Sequence, residues 1–397
     1  MSILPRRLTL FAFAIVCGCL LTIRSSELAA QPPNQRAAAK GNAIDVWLGT
    51  GSSKPGTGIY HCLLNTQTGK LTEPTLVAEV QRPGFLAMHP KLPMLYAVGA
   101  LNRTPLLLAY RITQTGPNAA LELVNTAEIG DGGAAHVAVD RTGRTVLTAQ
   151  YGGGSVAAFR LAENGSITQR TALIDHEGAS KAVPKRQDAS HAHWVGFSPD
   201  NRFAFVPDLG LDKVMIYRHD ADSSAIEAAG AGQLPAGAGP RHMKFHTNGQ
   251  WIYVLHELDL KVTVFDYDAE AGTMTAKQTI ETVPRDLLDK EKFKSCSEIR
   301  VHPNGKFVYA ANRGHDTITV FRVNEEDGTL TFVEREHVRG ATPRNFNVDP
   351  EGRWLLAAGQ DSDTLAAFEI DPDTGELAYN RSLVTLPSCI CVLFGHE

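Results

Sequence analysis

Residues 296–323 read CSEIRVHPNGKFVYAANRGHDTITVFRV. An apolar run ends at His302-Pro303-Asn304-Gly305, a second run of Phe, Val, Tyr and Ala follows, Gly314-His315-Asp316 breaks it, and a third run closes the unit. β-Branched and aromatic residues fill the runs, and Pro, Asn, Gly and Asp fill the breaks. The stretch therefore reads as three strands joined by tight turns. The same beat returns in TPRNFNVDPEGRWLLAAGQDSDTLAAFEID (342–371), in GPRHMKFHTNGQWIYVLHEL (239–258) and in residues 191–220. In that third copy HWVGFS, RFAFVPD and KVMIYRHD are the three strands. Six copies begin near Pro83, Ala134, His191, Gly239, Cys296 and Thr342, and equivalent positions recur about every 47–58 residues. Such a period marks stacked supersecondary units. A weaker fourth run occupies the linkers, as in LELVNTAEI (121–129) and TFVEREHV (331–338), with no helical stretch between units. Four-stranded antiparallel units at this spacing predict propeller blades.

Six copies leave two ends unpaired. IDVWLGT, GIYHCLLN and PTLVAEV near the N-terminus supply three strands and lack a first, while PSCICVLF (387–394) is one apolar strand without a blade. Joined, they make a seventh blade and close the ring, leaving no raw sheet edge. The predicted fold is thus all-β, a seven-bladed β-propeller over residues 43–397 with one blade shared by the two ends. A stack of separate β-sandwiches is the competing architecture.

The first thirty residues differ in kind. Arg6 and Arg7 precede the apolar run LTLFAFAIVCGCLLTI (8–23), and small residues follow at Ala29-Ala30. That order predicts an export signal over residues 1–30, with 31–42 as a flexible lead-in and a periplasmic, cell-envelope or secreted destination. The run is short for a membrane span, which needs roughly 20 residues, and no other segment reaches that length. A retained anchor, or lipidation at Cys19 within Val16-Cys17-Gly18-Cys19, is the alternative. Of the remaining cysteines, Cys389 and Cys391 alternate on one strand and should share a face. Cys62 should lie two strands away, about 9.6 Å, whereas a disulfide needs Cα atoms within about 7 Å. Free buried thiols are expected. A net charge of −5 carries no basic footprint for nucleic acid, and nothing in the pattern sets an oligomeric state.

The copies differ at one register. In a blade the first strand lines the central channel, and its start lies beside the end of the second. Aligned on their turns, the copies place Gly84, Ala135, His193, Arg241, Ser297 and Arg344 at the start of strand one. Ala100, Tyr151, Leu209, Glu257, Arg313 and Gln360 stand at the end of strand two, sixteen residues on, and are expected to pair with them. Gly84 and Ala100 show that the backbone needs no charge there, yet three arginines, a glutamate and a histidine converge on one mouth. His136, Gln150, His191, Asp208, His242, His256 and Asn312 flank them. A concave polar mouth with convergent ionisable groups is a candidate site. His191-Ala192-His193 has the look of a metal pair, but with no cysteine in register and arginines nearby neither a metal nor a cofactor is expected. Forked arginine donors suit a carboxylate or phosphate ligand. Glu257, facing Arg241, reads equally as an ion pair or a general base. Gly152-Gly153-Gly154 precedes no helix and reads as a hairpin turn rather than a phosphate cradle.

QYGGGSVAAF (150–159), the block from Lys185 to Tyr217 with Arg186-Gln187 and His-Ala-His, GPRHMKFHTNGQWIYVLHEL and SEIRVHPNGKFVYAANRGHDTITVF together resemble the bacterial propeller-type lactonases. This is the 6-phosphogluconolactonase-like family, which also includes carboxymuconate cyclases. The resemblance spans nearly everything after the leader and implies a seven-bladed propeller that hydrolyses sugar lactones. The family's proposed histidine, two arginines and glutamate fall by position on His193, Arg241, Arg313 and Glu257, the residues reached by the register argument. His191, Arg186, Asp208, His256, Asn312, Arg344 and Gln360 are the expected substrate contacts. The family's named substrate is cytosolic and this leader predicts export, so the resemblance carries the chemistry further than it carries the phosphate.

The leading reading is a metal-independent lactonase acting on an anionic or sugar lactone. His193 or Glu257 would serve as base and Arg241 or Arg313 would hold the developing oxyanion. No Gly-x-Ser-x-Gly elbow is present, which disfavours a serine nucleophile. Lactonising isomerisation of a carboxylated muconate would use the same residues. A non-enzymatic envelope propeller is the third reading, suggested by VYAANRGHDTITVF.

Overall fold

The structure, a computed structural model, describes residues 41–395 except 53, 55 and 56. The expected signal, lead-in and Cys19 lie outside the described residues. Seven four-stranded antiparallel sheets make up a β-propeller. Six follow the repeats in order, here blades 1 to 6. In the seventh, Cys389–Phe394 pairs with Ala43–Thr50, which pairs with Gly58–Asn65 and then Thr75–Glu79. The ring is closed by strands from both ends, and separate sandwiches are excluded. No described helix is long and apolar enough to cross a membrane.

Neighbouring sheets pack face to face, and an apolar cluster fills each interface. Phe205, Val214, Val254 and Phe265 lie between blades 3 and 4, and Tyr309, Val320, Phe346 and Leu355 between blades 5 and 6. Each such side chain contributes about 1.5–3 kcal/mol on burial. Polar clips repeat at the same interfaces. The imidazole that ends strand one reaches a turn carbonyl of the next blade, as His246 to Gly305 (2.8 Å) and His302 to Gly352 (2.7 Å). Gly305 and Gly352 have φ of 78° and 76°, and a Cβ at Gly352 would sit 2.4 Å from the His302 ring. Only glycine meets both demands. Tyrosines on strand two add a second clip, Tyr253 to Gly328 O and Tyr309 to Gly375 O, both at 3.1 Å.

Three expectations need correction. The linkers are not free of helix, since Arg285–Leu288 forms a helical turn and Gly116–Asn118 a 3-10 turn. Cys389 and Cys391 do not share a face. The ladder between the closing strands slips at Gly49/Thr50, so Cys389 packs with Cys62 and Val46, whereas Cys391 packs with Trp47 and Leu86. All four described cysteines are free and buried. Nor are 241/257, 297/313 and 344/360 ladder partners: Gly239 O accepts from Glu257 N, Ser295 pairs with Arg313, and Thr342 O accepts from Gln360 N. The register shifts at Pro240/His242, Cys296/Ile299 and Pro343/Asn345, so a bulge opens the inner strand of blades 4, 5 and 6. Bulges re-aim side chains and release backbone groups from the ladder.

Candidate active site

Arg241 stands in the blade 4 bulge, and its guanidinium meets the Glu257 side chain although their backbones are not paired. Nε donates to Glu257 Oε2 at 2.8 Å. The opposite carboxylate oxygen, Oε1, accepts from Arg186 Nη2 at 2.5 Å and lies 3.2 Å from Arg313 Nη2. Glu257 is thus shared by three arginines, one from its own blade, one from blade 5 and one from the loop between blades 2 and 3. The blade 5 bulge supplies the remaining anchors. Cys296 O accepts from Arg313 Nη2 at 3.0 Å, and Ser297 O accepts from Arg241 Nη1. Carbonyls held in a regular ladder would not be available for this.

The electrostatics follow from crowding and burial. Burial opposes ionisation of Glu257, but Arg313 and Arg241, with His193 and Arg186 behind them, hold its carboxyl well below the usual carboxylate range. Burial and the Arg313 charge push Arg241 down to about 9, which leaves it cationic at neutral pH. Burial, Arg241 and His242 hold the His193 imidazole well below its ordinary value, so it is neutral. Its Nδ1 is buried and unpaired, and no described residue hydrogen-bonds either ring nitrogen. Tyr151 and His242 bracket the ring edge-on, each at 5.3 Å between centroids.

These groups line one cavity of about 840 Å³ at the channel mouth. Arg82, Arg103, Arg186, Arg241, Arg313 and Arg344 face it, against Glu257 as the sole acid among the described residues. Arg82, Arg103 and Arg344 have no carboxylate partner among the described residues. Phe293, half exposed, lies 5.7 Å from the Arg313 guanidinium at the rim.

The structure brings His193, Arg241, Glu257, Arg313, Arg186 and Arg344 to this cavity and leaves the other five expected contacts outside its lining. Asp208 is fully buried and braces a turn, accepting from the amides of His191 (2.7 Å), Gly210 and Leu211 and pairing with His176. His256 is bound to Asp259 and Thr263, and Asn312 to Thr317 and Thr319. Successive strand side chains point to opposite faces. With 257 and 313 in the mouth, 256 and 312 turn into the sheet. His191 stacks on Tyr151 at 4.6 Å, and Gln360 touches Arg344 only at 3.5 Å. Sequence reasoning missed Arg82 and Arg103, which flank blade 1 where the aligned register shows only Gly84 and Ala100. Arg103 ends the two-residue turn Asn102-Arg103, with φ of 48° and 68°, and that turn tips it to the rim. The only signal available was a basic residue just beyond each end of an uncharged pair.

A family model described as lactonase, seven-bladed β-propeller, matches residues 45–394. A 6-phosphogluconolactonase of Bacillus subtilis is 34% identical over 88% of this chain and 98% of its own length. Another, from Formosa agariphila, is 31% identical over 74% and 83%. Among solved structures, the periplasmic gluconolactonase of Pseudomonas aeruginosa superposes with a TM-score of 0.82 at 28% identity, over 89% of this chain and 99% of that one. A protein from Lactobacillus plantarum gives 0.81 at 30% identity, over 89% and 100%.

Proposed function

This chain belongs to the seven-bladed β-propeller lactonase family, and from that premise we propose that it adds water to the carbonyl of an anionic sugar lactone. The observation that carries the substrate class is the charge of the cavity, six arginines against one glutamate already shared by three of them. Such a surface attracts an anion and resists a metal ion, whose positive charge it would repel and whose natural ligand it has occupied.

Ring opening needs a base for the attacking water, a donor for the oxyanion and an acid for the departing ring oxygen. His193 is suited to the first and last tasks because it is neutral and its nitrogens are uncommitted. It takes a proton from water as the new C–O bond forms. It returns that proton to the ring oxygen as the old C–O bond breaks, giving a hydroxy acid. Arg241 and Arg313 point fixed N–H groups at the charge that develops in between. Glu257, deeply ionised and triply paired, is a poor base. Its role is to hold the arginines together against their mutual repulsion. The leader over residues 1–30 and the periplasmic relative support export.

The test is proton release from glucono-δ-lactone and its 6-phosphate by the purified protein, with spontaneous opening subtracted. Accelerated opening, faster for the phosphate, is expected. Opening at the spontaneous rate for both would refute the reading.

A further inference from the structure

Behind Arg241 lies a second carboxylate that the proposed chemistry does not use. Glu298, in the blade 5 bulge, is completely buried. Its Oε1 lies 3.0 Å from His242 Nδ1 and accepts from the Ile299 amide at 3.0 Å. Its Oε2 accepts from Asn345 Nδ2 at 2.5 Å and from Arg300 Nη2 at 3.3 Å. Lys244 Nζ is 3.8 Å away. A buried carboxylate so fully bonded is held in one place.

His242 connects it to the site. Its Nε2 lies 3.0 Å from Arg241 Nη1. A guanidinium only donates, so Nε2 accepts and the ring hydrogen sits on Nδ1, facing Glu298. The donors of Arg241 can then be counted. Nε goes to Glu257 Oε2, and the two Nη1 hydrogens go to His242 Nε2 and Ser297 O. Nη2 bonds no described residue, is not among the buried unpaired atoms, and belongs to a residue lining the cavity. Its two hydrogens remain for a ligand.

We propose that Glu298 and His242 are positioning residues that lock the Arg241 guanidinium with Nη2 directed into the cavity. Glu298 orients the imidazole, and the imidazole gives Nη1 an acceptor that water would otherwise have to supply. The guanidinium thus meets the developing oxyanion without reorganising. The arrangement crosses blades, with Arg241 and His242 from blade 4 held by Glu298 from blade 5 and Asn345 from blade 6. As a statement about catalysis it rests on the lactonase reading, but the locked donor would also serve a bound anion.

The test compares His242→Phe, which keeps a ring and loses both bonds, with His242→Gln, whose amide presents an acceptor and a donor together. Expected for His242→Phe is a fall in kcat of about 10–100-fold with KM changed far less, as for a misaimed group, and weaker binding of inorganic phosphate by calorimetry. His242→Gln should recover most of both losses. A purely structural role would lower the Tm of both variants without this split. Should His242→Phe not fold, Glu298→Met, of similar length but with no oxygen to accept from His242 Nδ1, carries the test, with the same loss of kcat expected. A folded His242→Phe or Glu298→Met with wild-type kcat would overturn the proposal, as would a His242→Gln no better than His242→Phe. If the wild type opens no lactone, the lactonase reading fails by itself, and the phosphate affinities of the same variants still decide the positioning.

Discussion

Replacing Arg313 by alanine separates chemistry from stability at this site. Arg313 is almost fully buried, and Nη2 bonds Cys296 O at 3.0 Å and approaches Glu257 Oε1 at 3.2 Å. Nη1 has no partner among the described residues and is free for substrate. Removing the side chain does not orphan Glu257, which keeps Arg241 and Arg186. The stability cost should therefore be that of charge-assisted hydrogen bonds, about 1.5–3 kcal/mol, rather than the 3–5 kcal/mol of a buried charge left alone. The backbone tolerates a small residue, since Ala100 holds the equivalent position in blade 1. Loss of an oxyanion donor should lower turnover by about 10²–10³, or about 2.7–4 kcal/mol in the barrier. Arg313→Lys should recover little, because a point charge cannot reach both acceptors and still present a fork. Initial rates of lactone opening, with thermal unfolding on the same samples, decide the matter. A folded Arg313→Ala enzyme with wild-type turnover would remove Arg313 from the chemistry, and one that does not fold would make its role structural.

Burial and neighbouring cations hold the His193 pKa well below 6.5, so its basic form persists as pH falls through that value. Turnover should stay flat from neutral pH through 6.5 and decline only well below, and a midpoint at the ordinary histidine pKa would refute this. Arg82 and Arg103 lack ion-pair partners among the described residues. The double change to alanine should reduce the preference for phosphorylated over neutral lactone, with the wild-type preference itself shrinking as salt screens charges over about 8–10 Å. An unchanged ratio would show that these arginines do not read substrate charge. Deleting residues 387–397 removes the innermost strand of the closing blade, including buried Cys389, Cys391, Val392 and Phe394. Aggregation is expected on size-exclusion chromatography, and a soluble, active truncate would contradict the need for ring closure.

Blade number and ring closure were legible in the sequence because their causes are local. Turn residues recur at fixed offsets, apolar runs have strand length, and the strand missing at one end is supplied at the other. Aligning the turns also placed His193, Arg241, Glu257 and Arg313 at one level, since a repeat maps equivalent positions to one height in the ring. Which neighbours join them was not legible, because that depends on where the ladder slips. The bulges at Pro240/His242 and Cys296/Ile299 turn Arg241 inward and free the carbonyls of Cys296 and Ser297, while unbroken alternation turns His256 and Asn312 away. Arg82 and Arg103 reach the mouth from outside the aligned strands. Glu298 meets His242 from a position 56 residues away. A slip of one residue depends on how one blade packs against the next, and no local propensity records that contact. The chain's own pattern thus determined the ring and the height of the site, and packing between blades decided which side chains complete it.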